Sequence, residues 1–114
     1  MREQQAANGF SALGNETRLA IFKLLVRAGD QGFATGRIGN ELKIPLSTLA
    51  HHLDSLSRAG LITQSKSGRT VSCTANYTAL LALTNYLTEN CCEGLPVEAL
   101  EAINHKNSTP EMVD

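Results

Sequence analysis

Cys91 and Cys92 stand side by side in the stretch LTENCCEG, and Cys73 is the only other cysteine in the 114 residues. An odd count argues against a closed disulfide framework. In a reducing compartment such thiols stay free, and a deprotonated thiol is a ligand for soft, thiophilic centres and a target for oxidation. No histidine lies beside the pair, so the mixed thiolate and imidazole tetrahedron that zinc prefers is not expected there. Cys73 alternates with Val71 and Ala75, the pattern of one strand face, where cysteine behaves as a small buried hydrophobe.

A second group of chemically able side chains lies in LSTLAHHLDSLSRAG. With Leu49, Leu53 and Leu56 turned inward on a helix, Ser47, His51, Asp54, Ser55 and Arg58 face outward, with Thr48 beside them. Hydroxyls, imidazole and guanidinium can all donate to phosphates or base edges. His52 sits nearer the apolar stripe and is expected to be partly buried and hydrogen-bonded. Lys66 and Arg69 flank a second feature, the Ser67-Gly68 turn. The net charge of −1 conceals an asymmetry. Between residues 35 and 70 the cations Arg37, Lys43, Arg58, Lys66 and Arg69 outnumber Glu41 and Asp54, whereas from Glu89 onward six acids face Lys106 alone. A locally basic middle is a phosphate-binding face within a chain whose overall charge would not suggest one.

These residues need a frame. The length suits one domain, and no apolar run approaches the roughly 20 residues of a membrane-spanning helix. The polar N-terminus MREQQAANGF carries no signal pattern, so a cytoplasmic location is expected. ANGFSALG predicts a short helix bringing Phe10 near Leu13. Asn15 caps a second helix through ETRLAIFKLLVRAG, with Leu19, Phe22, Leu25 and Val26 as its stripe and Gly29 as its end. TGRIGNELK, capped by Thr35, gives a third, and Ile44-Pro45 breaks the chain before the fourth, which Gly60 stops. LITQSKSGRTVSCTA is rich in β-branched residues around a glycine turn, a hairpin signal. YTALLALTNYLTENCC returns to helical spacing, and PVEALEAINHK predicts a short acidic helix before a frayed tail. The fold class is therefore mostly α with a small β-hairpin wing, a winged helix-turn-helix. Residues 1–94 form the DNA-binding and dimerisation domain, and residues 95–114 an acidic extension.

LGNETRLAIFKLLVRAG, ELKIPLSTLAHHLDSLSRAGLI and SGRTVSC resemble the ArsR-type (arsenic repressor) family of bacterial metalloregulators over about residues 10 to 93. The family's serine or threonine start, His-Leu, Leu and Ala-Gly-Leu-Ile pattern stands here as Ser47, Thr48, His52, Leu53, Leu56, Ala59, Gly60, Leu61 and Ile62. The resemblance implies a homodimer, joined through the first and last helices, that represses by binding double-stranded operator DNA and leaves it when an effector binds. Ser47, Thr48, His51, His52, Ser55, Lys66 and Arg69 are the DNA-contact candidates. It also implies a trivalent arsenical as the effector, held by Cys91 and Cys92, with Cys73 of the other subunit as the one candidate third ligand. Two thiolates suit an arsenic that already carries a methyl or phenyl group, whereas three would suit inorganic arsenite or antimonite. No resident cofactor is expected. A thiol-based redox or reactive-sulfur sensor is the alternative. An enzyme is not expected, because no cysteine has histidine and carboxylate at usable spacing and no glycine-rich phosphate loop follows a strand.

Overall fold

The computed structural model describes residues 1–94, which form five helices and three strands. The expected helix after Gly94 lies outside them. Helix α1 (Glu3–Leu13) begins earlier than its apolar spacing suggested and buries only small residues, Ala6, Gly9 and Ala12. Small size is what the contact requires: a Cβ on Gly9 would meet Leu83 of the last helix at 3.0 Å. Helix α2 (Glu16–Ala28) starts where Asn15 Oδ1 accepts the Arg18 amide, as a capping asparagine should, and ends at Gly29. Its buried face is Ile21, Phe22 and Leu25. Leu19, expected in that stripe, is 44% exposed. It lies about 120° round the helix from Leu25, on the flank of the packed face.

Strand β1 (Phe33–Ala34) has no counterpart in the sequence reading. Two residues are too short for a period, and the strand exists because Phe33 pairs with Cys73 and Ala34 with Ser72. Its pairing also corrects the expected cap of helix α3 (Thr35–Leu42). Ala34, held extended by the sheet, is the N-cap, and Thr35 is the first helical residue with no capping hydrogen bond. Helix α3 stops before the Ile44-Pro45 break, at Lys43, whose left-handed φ of 55° lets the Ile44 amide reach the Gly39 carbonyl.

Helix α4 (Leu46–Arg58) buries Leu49, Leu53 and Leu56 as the periodicity required. Strands β2 (Ile62–Ser67) and β3 (Thr70–Ala75) form the wing, antiparallel and joined by Gly68-Arg69, one residue later than expected. The sheet order is β1-β3-β2, so Cys73 occupies its middle strand. Asn76 links wing to last helix: its Oδ1 caps the Ala79 amide and its Nδ2 donates to the Gly60 carbonyl. Helix α5 (Tyr77–Thr88) is fastened to α2 by the Tyr77 hydroxyl, which donates to the Val26 carbonyl at 2.9 Å. One core unites the elements, with Ile21, Leu25, Ile38, Leu49, Leu56 and Leu61 almost wholly enclosed. Among the described residues no helix is long and apolar enough to cross a membrane.

Candidate functional site

Lys43, in its left-handed turn, and Pro45, with its fixed φ, set α4 off from α3 as the second helix of a helix-turn-helix. The core leucines fix its rotation. Ser47, Thr48 and His51 consequently stand exposed on the outer face, as do Lys66 and Arg69 around the wing tip. Asp54 and Arg58 share that face and bind each other at 2.9 Å, one turn apart. On α3, Arg37 lies 4.3 Å over the Phe33 ring and 4.0 Å from Glu41 one turn later. The ring contact was missed because it depends on β1.

Two candidates sit elsewhere. Ser55 is half-buried and turns toward a hollow shared with Asn8, Ser11, Arg18 and Arg58. His52 is half-buried, but its buried Nδ1 has no hydrogen-bond partner among the described residues, unlike the satisfied histidine expected. Desolvation lowers its pKa first, with Arg18 and His51 adding repulsion. The unfolded chain therefore takes up the His52 proton at a higher pH than the folded one. Stability should fall as pH drops below the ordinary histidine value of about 6.5, a slope that His52→Gln removes. Urea midpoints measured from pH 7.5 to 5 in both proteins check this.

The three cysteines are free and divide sharply. Cys73 is wholly buried, accepts a 3.8 Å hydrogen bond from Gln64 Nε2, and has its thiol pKa pushed up by burial. Cys91 and Cys92 are exposed, with their sulfurs 3.1 Å apart. They do not continue α5, which was expected to run to Cys91. The helix ends at Thr88, Glu89 is extended, and Asn90 and Cys92 adopt φ of 62° and 64°. Asparagine at 90 is the one trace of this turn in the sequence, since it tolerates the left-handed region better than most residues. Thr88 holds the turn by accepting the Cys91 amide at 2.8 Å. The hydrogen bond between the thiols raises the Cys91 pKa, desolvation adding to it. Bonds of about 2.3 Å from two thiolates to one centre place the sulfurs roughly 3.3–3.8 Å apart, close to what the pair already shows. No cluster of three or more histidine, cysteine or carboxylate side chains suited to a metal occurs among the described residues.

A model of a helix-turn-helix domain family matches residues 13–65. A helix-turn-helix-type transcriptional regulator of Methanocaldococcus jannaschii, itself uncharacterised, is 42% identical over 65 residues, 57% of this chain and 71% of that one. An ArsR-like transcriptional regulator from Rhodococcus superposes with a TM-score of 0.70 at 26% identity, covering 91% of this chain and 93% of that one. The chain belongs to the helix-turn-helix-type transcriptional regulators. It also shares its fold with the homodimeric winged helix-turn-helix DNA-binding domain of a possible ArsR-family regulator of Mycobacterium bovis. That match has a TM-score of 0.62 at 24% identity and covers 76% of this chain and 81% of that one. Membership of these helix-turn-helix-type regulators makes the protein a DNA-binding transcriptional regulator, with α4 as the second helix of its helix-turn-helix.

Proposed function

We propose that this regulator is an arsenical-responsive repressor, bound to its operator as a homodimer and released when a trivalent arsenical binds Cys91 and Cys92. The carrying observation is the exposed thiol pair, 3.1 Å apart at the end of α5. Two thiolates complete the coordination of an arsenic bearing one methyl or phenyl group. A third sulfur, which inorganic arsenite or antimonite would use, could come only from Cys73 of the other subunit. Its complete burial in the middle strand weighs against that arrangement.

Dimerisation through α1 and α5 is supported by Leu81 and Leu87, 61% and 67% exposed on the last helix, and by the homodimeric M. bovis domain of the same fold. A two-fold dimer presents one recognition helix to each half of a palindrome. Effector bound just beyond α5 would favour a dimer geometry that no longer fits both half-sites. A coupling of about 1–3 kcal/mol weakens DNA binding roughly 5- to 150-fold, and DNA must weaken effector binding by the same factor.

Fluorescence anisotropy of a labelled promoter duplex, titrated in parallel with arsenite, a trivalent phenylarsenical and zinc, tests the reading. Release by the phenylarsenical is expected. No release by any arsenical, with release instead by oxidants and reversal by reductants, would replace it with a thiol redox sensor.

At the wing tip, Lys66 and Arg69 are the proposed phosphate contacts beside the groove that α4 enters. Lys66→Ala should weaken binding to all sequences alike and lower the slope of log K against log salt by about one per protomer. Anisotropy titrations from 50 to 300 mM salt (about a sixfold range) give that slope; an unchanged value would remove Lys66 from the interface.

A further inference from the structure

The recognition helix opens on an apolar residue that packing does not explain. Leu46 is 65% exposed in the first turn of α4, and Ala50, one turn later, is exposed as well. A single exposed leucine is ordinary. Here, however, the i, i+4 pair borders Ser47, about 60° round the helix from Ala50. It lines a groove of about 490 Å³ that runs across to Gln64 and Val71 of the wing. Neither residue belongs to α1 or α5, so the proposed dimer interface does not cover them.

The groove's surroundings favour a polyanion. Asp54, the one charged side chain among the described residues that line the groove, is tied to Arg58 at 2.9 Å, and Glu41 lies 4.0 Å from Arg37, which leaves Lys43, Lys66 and Arg69 as an excess of positive charge between residues 35 and 70. The first residues of a recognition helix are those that meet base edges. In the major groove the one apolar feature on a base edge is the C5-methyl group of thymine. We infer that Leu46, with Ala50 beside it, reads a thymine methyl in each operator half-site. Ser47 and His51, on the adjoining outer face, supply hydrogen bonds next to it, so one short segment of α4 reads both the polar and the apolar pattern of the groove. The inference rests on α4 being the DNA-reading helix.

The test begins with the full-length protein selecting duplexes from a randomised library. In the enriched duplex each thymine is then replaced singly by uracil, which deletes only the methyl group. At one thymine per half-site the replacement should weaken binding about fourfold, the weight of one buried methyl. Leu46→Ala, which removes the contact from both half-sites at once, should lose about that factor per half-site, roughly 15-fold in all, on the thymine duplex and no longer distinguish thymine from uracil there. Its salt dependence should match that of the unaltered protein, showing that the docking on phosphates persists. A scan with no methyl-sensitive thymine overturns the inference, and so does full sensitivity retained by Leu46→Ala. Failure of the library to enrich any sequence would overturn the reading of α4 itself, an outcome distinct from enrichment without methyl sensitivity.

Discussion

Cys91→Ser is expected to bind the promoter duplex as tightly as the unaltered protein and to lose release by a phenylarsenical. The reason is the intramolecular character of the second bond. Once one thiolate has bound, the other sulfur, 3.1 Å away, closes the chelate without a further encounter. Linked sites of this kind gain about 10²- to 10⁴-fold in affinity over either alone, and removing one partner forfeits that gain. Cys92→Ser should behave in the same way. Cys73→Ser should retain release, because its sulfur is enclosed in the wing sheet and any effect should appear as altered stability. The protonated state of the pair adds a second signature. Its mutual hydrogen bond holds Cys91 above the usual thiol range. Near neutral pH, capture of R–As(OH)2 therefore exchanges two S–H bonds for two As–S bonds and releases two waters with no net proton, and the affinity should stay nearly constant from about pH 6.5 to 7.5. Release of the Cys91→Ser protein at the same phenylarsenical concentration would sink the two-thiol site, and dependence on Cys73 would make it three-coordinate and shared between subunits.

Most of the architecture could be read from residue pattern because its strongest signals are local. Asn15 caps, Gly29 stops a helix, and the leucines of α4 recur at a helical period. Those features depend on neighbours in the chain. What escaped the reading depends on distant partners. β1 is two residues that become a strand by pairing with Ser72 and Cys73, and its presence moved the start of α3 past the threonine that looked like its cap. Leu19 looked like core because the helix period admits it, but the angular width of the real contact excludes it.

The same division holds at the two sites. The outer face of α4 followed directly from the burial of Leu49, Leu53 and Leu56. Ser55 shares the polar period yet turns toward a hollow shared with α1 and α2, a placement set by packing between helices. The cysteine pair was conspicuous in sequence, but its separation from α5 was not. Continuous helical spacing through LTENCC concealed a turn whose residues at 90 and 92 are left-handed. That turn makes the thiols a unit attached to the end of α5 rather than part of its rigid surface, so under the proposed mechanism a bound effector can reshape it without first unwinding α5.

Replacing Gly32 by alanine should be the most damaging single substitution that leaves every chemically active side chain in place. Gly32 follows the 3-10 turn after α2 with φ 63° and ψ −161°, a combination that in practice only glycine adopts. A Cβ there would stand 2.1 Å from the Cys73 carbonyl oxygen, so the close passage of the chain over β3 is built on the missing side chain. Gly29 provides the internal control. It has nearly the same backbone conformation, φ 73° and ψ −154°, but nothing within 4 Å of its Cβ position. Gly29→Ala should therefore cost the backbone strain alone, about 1–3 kcal/mol. Gly32→Ala must add the displacement of β3, for a total of about 4 kcal/mol or more. Much of the 5–15 kcal/mol typical of a domain this size would be lost. Urea denaturation of both variants, followed by circular dichroism, measures the difference. Equal losses would mean that the wing shifts freely to admit the methyl group, and hence that β1 does not anchor β3 to the helical core. A larger loss for Gly32→Ala would identify this crossing as the point where the wing, and the cations at its tip, are held in register with the recognition helix.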